Sequence, residues 1–150
     1  MLTIDSTAEF QKWMGRDLGS SSWMLIEQSR IDLFAEATGD HQWIHVDSER
    51  AAAGPHGCTI AHGYLSLSLL PGLAAEVYAV RGYGSTMNYG INRVRFPAPV
   101  PVGSMVRNTV HLLSVDDVAR GTLLTLRHTL EIDGSDRPAL VAEQLRLLMN

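Results

Sequence analysis

The stretch FAEATGDHQWIHVDSERAAAGPHGCTIAHG, residues 34–63, orders the reading of the whole chain. It opens on the end of a helix: Ile31, Phe34, Ala35 and Thr38 follow helical spacing, and Gly39 stands where a left-handed closing residue belongs. A carboxylate, Asp40, and an imidazole, His45, then fall five positions apart in the connection that follows. The stretch ends on Ala61-His62-Gly63, where a long apolar helix begins. Loop positions held by rigid elements commonly carry reactive groups. A carboxylate and a histidine can grip one water, one accepting its proton while the other fixes its direction. The N–H groups of a helix's first turn have no internal partner, and the dipole there favours negative charge. Glycine at 63 lets a substrate approach that backbone closely. The stretch thus offers an acid/base pair beside an oxyanion site. A plainer reading stays open on these grounds: Asp40 as a solvated turn residue and His45 as a hydrogen-bonded packing residue.

Working outward, Ser6 and Glu9 form a Ser-x-x-Glu capping box that opens a helix through about Trp13, closed by Gly15. Residues 22–27 read as a short strand. Ser29 and Asp32 repeat the capping pattern for the helix that Gly39 closes, and Asp47 can cap a short helix ended by Gly54 and Pro55. From His62 to Val80 the chain is hydrophobic nearly all round, which predicts a helix enclosed by other structure, roughly 27 Å long at about 1.5 Å per residue. Pro71 should kink it or split it. After Gly84 the pattern changes to strands over residues 86–96, 104–115, 122–132 and 139–149, separated by PAPVPVG, DDVARG and DGSDRP. Leu124, Leu126, His128, Leu130 and Ile132 share one face of the third, which suggests an antiparallel sheet with one buried face. The layout is α+β. A curved antiparallel sheet wrapped around a single central helix is one of several arrangements that fit.

The bulk properties narrow the class. With 150 residues, 45% hydrophobic and 19% charged, the chain can bury a core as one domain spanning residues 1–150, and no repeat or long linker divides it. A formal net charge of −4 argues against a general nucleic-acid binder. Cys58 is the only cysteine, so no intrachain disulfide forms, which is compatible with a reducing cytoplasm. The first residues carry acids and no uninterrupted apolar run, so no signal peptide is expected. The longest apolar stretch is interrupted by His62, Ser66, Ser68, Pro71, Gly72 and Glu76, groups that would be costly in lipid, so no membrane anchor is expected either. The expected location is the cytoplasm.

Phe34-Ala35, Gly39-Asp40, Ile44-His45-Val46-Asp47 and Ile60-Ala61-His62-Gly63, followed by VRFPAPVPVG at 94–103, resemble the signature of the MaoC-like family, which includes the (R)-specific enoyl-CoA hydratases. The resemblance covers roughly residues 20–150. It implies a hot-dog fold and, since one unit is present, a homodimer. It implies reversible hydration of trans-2-enoyl thioesters to (R)-3-hydroxyacyl thioesters. Asp40 and His45 match the pair that binds and activates water, and Gly63 matches the residue whose backbone N–H receives the thioester oxygen. His62 belongs to the motif in an orienting or structural role. The substrate would be an acyl-CoA or acyl-carrier-protein thioester, so coenzyme A counts as substrate and no separate cofactor is expected. Many relatives carry Asn-Pro where this chain has Gln42-Trp43, and the bulk of Trp43 puts the shape of that loop in question. Asp47 suits capping better than catalysis.

Rival readings are weaker. His41, His45, His56 and His62 cluster with Asp40, Asp47 and Cys58, but zinc on a helix would want a glutamate between His41 and His45, and Gly39 has already ended the helix. No metal is expected. Hot-dog enzymes of the thioesterase or helix-glutamate dehydratase type place their carboxylate in the central helix, which here holds none before Glu76. A 3-hydroxyacyl-carrier-protein dehydratase fits the same residues, whereas a non-catalytic thioester-binding subunit would be marked by loss of Asp40 or His45, and both are present. Arg93, Arg95 and Arg107 could meet the phosphates of coenzyme A, although alternating arginines on a strand more often form a solvated face. Cys58 lacks an evident base partner, and Trp13, Trp23 and Trp43 read as packing residues.

Overall fold

Local chemistry accounts for most of the helical half. In the computed structural model, which describes residues 1–149, the first elements are β1 (Leu2–Ile4), α1 (Thr7–Trp13), β2 (Asp17–Ser20), β3 (Met24–Leu25), α2 (Gln28–Thr38), α3 (Trp43–Val46) and α4 (Ser48–Ala52). Ser6 caps α1, its hydroxyl accepting the Glu9 N–H at 3.3 Å, while the Glu9 carboxylate accepts from the Asp5 N–H at 2.9 Å, one residue before the cap. Asp47 caps α4 by accepting the Arg50 N–H at 3.0 Å. Gly39 closes α2 with φ 75°. The opening of α2 differs from the capping pattern expected at Ser29: the helix starts at Gln28 after Glu27, with no side-chain cap. The Asp32 carboxylate is taken up instead by the Gln28 amide at 2.8 Å. β1, β2 and α3 have no counterpart in the sequence reading.

The second half comprises α5 (Gly63–Val77), β4 (Tyr78–Val80), β5 (Ser85–Arg95), β6 (Met105–Val118), β7 (Gly121–Ile132) and β8 (Leu140–Met149). The helix expected to run to Val80 stops at Val77, and Tyr78–Val80 turns into a strand parallel to β1, with Leu2 opposite Tyr78 and Ile4 opposite Val80. An apolar run suits either state, and the aromatic and β-branched side chains here favour the strand once a partner is present. Pro71 does not split α5. It lies on an exposed flank, where the carbonyl left free by its missing N–H can turn to water.

The long strands form one antiparallel sheet in the order β2-β6-β7-β8-β5, with β3 also on β6. It curves around α5 in the hot-dog arrangement, an α+β fold. Alternation along β7 buries Leu124, Leu126, His128, Leu130 and Ile132, the five residues assigned to one face. Against them pack Leu65, Leu70, Leu73, Ala74 and Val77 of α5. Each leucine buried this way contributes roughly 1.5–3 kcal/mol. The helix is not enclosed all round, however. Tyr64, Ser68, Pro71 and Ala75 form an exposed stripe at helical spacing, and Ile91 and Phe96, on or just after β5, are also exposed. Among the described residues nothing covers the exposed stripe of the helix, whose first turn lies beside Phe96 at the end of β5. Among the described residues no helix is long and apolar enough to cross a membrane.

A polar row crosses the inner face of the sheet. The Asn108 amide donates to His128 Nδ1 at 3.1 Å, His128 Nε2–H donates to Gln144 Oε1 at 3.0 Å, and the Gln144 amide donates to Asn88 Oδ1 at 2.8 Å. The row separates the two halves of the core, one around Leu65 and Leu140, the other around Phe10 and Leu112. Burial pushes the His128 imidazole down to about 4, against the Gln144 hydrogen bond that favours the proton. Folded His128 therefore protonates only well below the value of about 6.5 that it has in the unfolded chain. Between those values the unfolded chain binds more protons, so stability falls as pH drops through that window, by up to about 3 kcal/mol. Urea unfolding at about pH 7.5 and about pH 4.5 is expected to show this loss in the wild type and a smaller one in His128→Gln.

Candidate functional site

His45 sits on the single turn of α3 and is buried. Its Nδ1–H donates to the Ile60 carbonyl at 2.7 Å. That bond selects the tautomer in which Nε2 keeps its lone pair. Burial lowers the pKa of His45 from 6.5, assisted by the neighbouring His62; the Ile60 bond and Asp40 act in the opposite sense. At neutral pH the ring is therefore a neutral base with one free acceptor.

Asp40 follows the turn made by Gly39 and remains exposed, its carboxylate accepting the Gln42 N–H at 3.4 Å. Its backbone carbonyl accepts from His62 Nε2–H at 2.9 Å. The His62 ring stacks on His45 with centroids 3.8 Å apart at 25°, and Phe34 packs on its edge at 5.0 Å. His62 is thus a spacer that joins the Asp40 turn to the start of α5 and supports the His45 ring. Its buried Nδ1 has no partner among the described residues.

One side-chain ligand atom each of Asp40, His45 and His62 lies within 4.8 Å of the others. Of the wider cluster in the sequence, only these three converge in that way among the described residues. His41 faces Glu36 at 3.7 Å, Asp47 caps α4, and Cys58 Sγ lies 3.7 Å from the His56 carbonyl. Imidazole lone pairs lie in the ring plane, so two stacked rings do not aim them at one ion as a tetrahedral metal site requires. The arrangement suits a hydrogen-bonded water better than a shared metal.

A cleft of about 360 Å³ opens beside this group, with His45, Gly63, Phe96, Ala98, Val100 and Ala139 in its wall. Its shape comes from the Pro-rich segment after β5. There the Ala61 N–H donates to the Val100 carbonyl at 2.8 Å and the Val102 N–H to the Thr59 carbonyl at 2.9 Å, so residues 59–61 run beside residues 100–102 into α5. Gly63 is the first residue of α5, and its N–H has no acceptor within the helix. A Cβ at this position would come 3.2 Å from the Phe96 ring, a tight contact that the ring would have to relieve by shifting a few tenths of an ångström.

Several features lay beyond the sequence reading. Phe96, Ser66 and His56 also line the cleft. Phe96 was visible inside the 94–103 motif and His56 within the histidine cluster, while Ser66 stood out only as a polar break in the apolar helix. Trp43 is accommodated by Gly54, where a Cβ would sit 3.0 Å from the ring, and by the Arg50 guanidinium 4.5 Å over it. Arg93 and Arg95 border a separate hollow of about 280 Å³ with Pro97, Val141 and Glu143. Arg107 stands apart, bonded to Glu131 at 2.6 Å and stacked 4.6 Å over Trp23.

The profile of the family described as MaoC like domain matches residues 9–131. The chain is 53% identical over 146 residues to 3-hydroxyacyl-thioester dehydratase Z of Mycobacterium tuberculosis (strain H37Rv), covering 97% of each chain. Among solved structures it is similar to the monoamine oxidase regulatory protein from Archaeoglobus fulgius, with TM-score 0.80 and 21% identity over 100% of this chain and 99% of that one. It is also similar to the (R)-hydratase from A. caviae involved in PHA biosynthesis, with TM-score 0.74 and 22% identity over 90% of this chain and 96% of that one. The last two establish a shared fold. Taken with the family match and the long alignment to the mycobacterial dehydratase, they lead to one conclusion: the chain belongs to the MaoC-like dehydratase family and is an enzyme of the hydro-lyase class.

Proposed function

We propose that this enzyme adds water reversibly across the 2,3 double bond of trans-2-enoyl thioesters, giving (R)-3-hydroxyacyl thioesters. The observation that carries the reading is His45: a buried, neutral imidazole with Nδ1–H engaged by Ile60, beside Asp40 and in the same cleft as the free N–H of Gly63. Asp40 and His45 together hold and activate the water. Attack at C3 moves charge onto the thioester oxygen, and the Gly63 N–H at the positive end of α5 receives it. C2 then takes up the proton that the water gave to the Asp40/His45 pair, so that one whole water is added and the pair returns to its starting state. Loss of one such oxyanion donor costs about 3–4 kcal/mol in barrier, so the backbone donor matters as much as either side chain. Dehydration follows the same path in reverse, in keeping with the name of the mycobacterial relative.

The thioester carrier is coenzyme A or an acyl carrier protein, entering as part of the substrate, and the steps above call on no metal or further cofactor. Arg93 and Arg95, on a hollow that adjoins the cleft through Phe96-Pro97-Ala98, are suited to phosphates of the carrier, so their loss belongs in KM rather than kcat. A homodimer would cover the open flank of α5 and the edge of β5, where Tyr64, Ile91 and Phe96 are exposed next to the cleft.

The test follows the conjugated enoyl absorbance with crotonyl-CoA and a longer trans-2-enoyl-CoA. Wild-type enzyme is expected to bleach it with at least one of them, giving the (R) product. An enzyme that binds both and hydrates neither would overturn the reading for coenzyme A substrates.

A further inference from the structure

We infer that Gln28 and Thr59 are positioning residues that set the distance between the water-activating imidazole and the oxyanion donor. The inference rests on the reading of His45 as the base.

The Gln28 amide is used in full. Its Nε2 donates to the His45 backbone carbonyl at 2.8 Å and to Asp32 Oδ1 at 2.8 Å, and its Oε1 accepts from the Thr59 hydroxyl at 2.5 Å. Thr59 is buried and directly precedes Ile60, whose carbonyl holds His45 Nδ1–H at 2.7 Å and whose N–H donates to the Ile44 carbonyl at 3.0 Å. These bonds close a circuit: Gln28 to the backbone of His45, the His45 ring to Ile60, and Thr59 back to Gln28. The far side of the circuit runs from Ile60 through Ala61 and His62 to Gly63, the first residue of α5. Base and oxyanion donor therefore sit on two arms of one frame, and the Gln28 side chain is the brace between them.

The surroundings show why a brace is needed. α3 is a single turn, and the preceding Asp40–Gln42 connection is exposed. An isolated turn has little stability of its own. His45 is otherwise steadied by ring contacts and by Ile60, none of which holds the start of α2 against it. Misplacing a reacting group by about 1 Å can cost about 10²-fold in rate.

The experiment compares Gln28→Leu, Thr59→Val, Thr59→Ser and His45→Gln with the wild type, recording kcat, KM and the pH profile of kcat/KM on a trans-2-enoyl-CoA. Gln28→Leu and Thr59→Val are expected to lose about 10- to 10²-fold in kcat with KM within about threefold, because substrate contacts are intact while alignment is not. Thr59→Ser keeps the hydroxyl and is expected to restore most of the wild-type rate. The acidic limb of the profile is a second readout. The charged and titratable groups near His45 are Asp40, His62 and His56, with Asp32 behind Gln28, and all are retained. Loosening α3 admits water to the ring, so the limb should move up toward the ordinary histidine value in Gln28→Leu and Thr59→Val. A general loss of fold would lower the amount of active enzyme and leave the limb where it was. Wild-type kcat and an unmoved limb in both variants, with His45→Gln inactive, would overturn the brace and leave the base in place. An active His45→Gln would overturn the reading of the base and the brace with it. If Gln28→Leu does not fold, the Thr59 pair decides alone: equal rates for valine and serine sink the inference.

Discussion

His45→Gln is expected to lower kcat by about 10²–10⁴-fold on any enoyl thioester that the wild type hydrates. Glutamine can still donate toward the Ile60 carbonyl and occupies much of the same space, so the cleft should persist; what disappears is the neutral Nε2 that takes the proton from water. The pH profile carries the same argument. In the proposed mechanism His45 acts as a neutral base, and burial holds its pKa below 6.5. Activity should therefore be flat through neutral pH and fall only in acid, as the ring takes up a proton. In His45→Gln that limb should vanish along with the rate. A variant with wild-type kcat and an unchanged acidic limb would remove His45 from the chemistry.

Asp40→Asn is expected to cost about 10²–10³-fold in kcat while leaving the fold unchanged. The carboxylate is exposed, and its one side-chain bond, from the Gln42 N–H at 3.4 Å, can be accepted by the oxygen of asparagine. The tie from His62 to this turn uses the Asp40 backbone carbonyl and survives the change. The lost quantity is the negative charge, which in the proposed mechanism orients the water and stabilises the positive imidazole formed when His45 takes its proton. Because both side chains act on one water, the double variant should be little worse than the more damaging single one. Two losses that multiply in full would show independent roles.

Much of the architecture was legible because the signals are local. The period of two in β7, the caps at Ser6 and Asp47 and the αL glycine at 39 each depend on neighbours within a few residues, and each appears where expected. Elements that failed to announce themselves depend on distant partners. β1 is three residues long and exists because Tyr78–Val80 lies beside it; β2 pairs with β6 about ninety positions away. The same dependence turned the end of the apolar helix into a strand. Ser29 and Asp32 satisfy a local capping rule, yet the Gln28 amide draws Asp32 away from that role.

Side-chain periodicity and the spacing of Gly39-Asp40, His45 and His62-Gly63 are enough to read the class of fold, the acid/base candidates and the family from the chain alone. Which nitrogen of His45 is free is a matter of three-dimensional packing, since it depends on the Ile60 carbonyl brought up by pairing with the Pro-rich segment. Contacts of the same kind stack His62 on the His45 ring, set Gly63 against the Phe96 ring, and bond the Gln28 side chain both to the His45 carbonyl and to Thr59. Proton position, steric room and alignment are set by contacts between segments far apart in the chain, which no local pattern records.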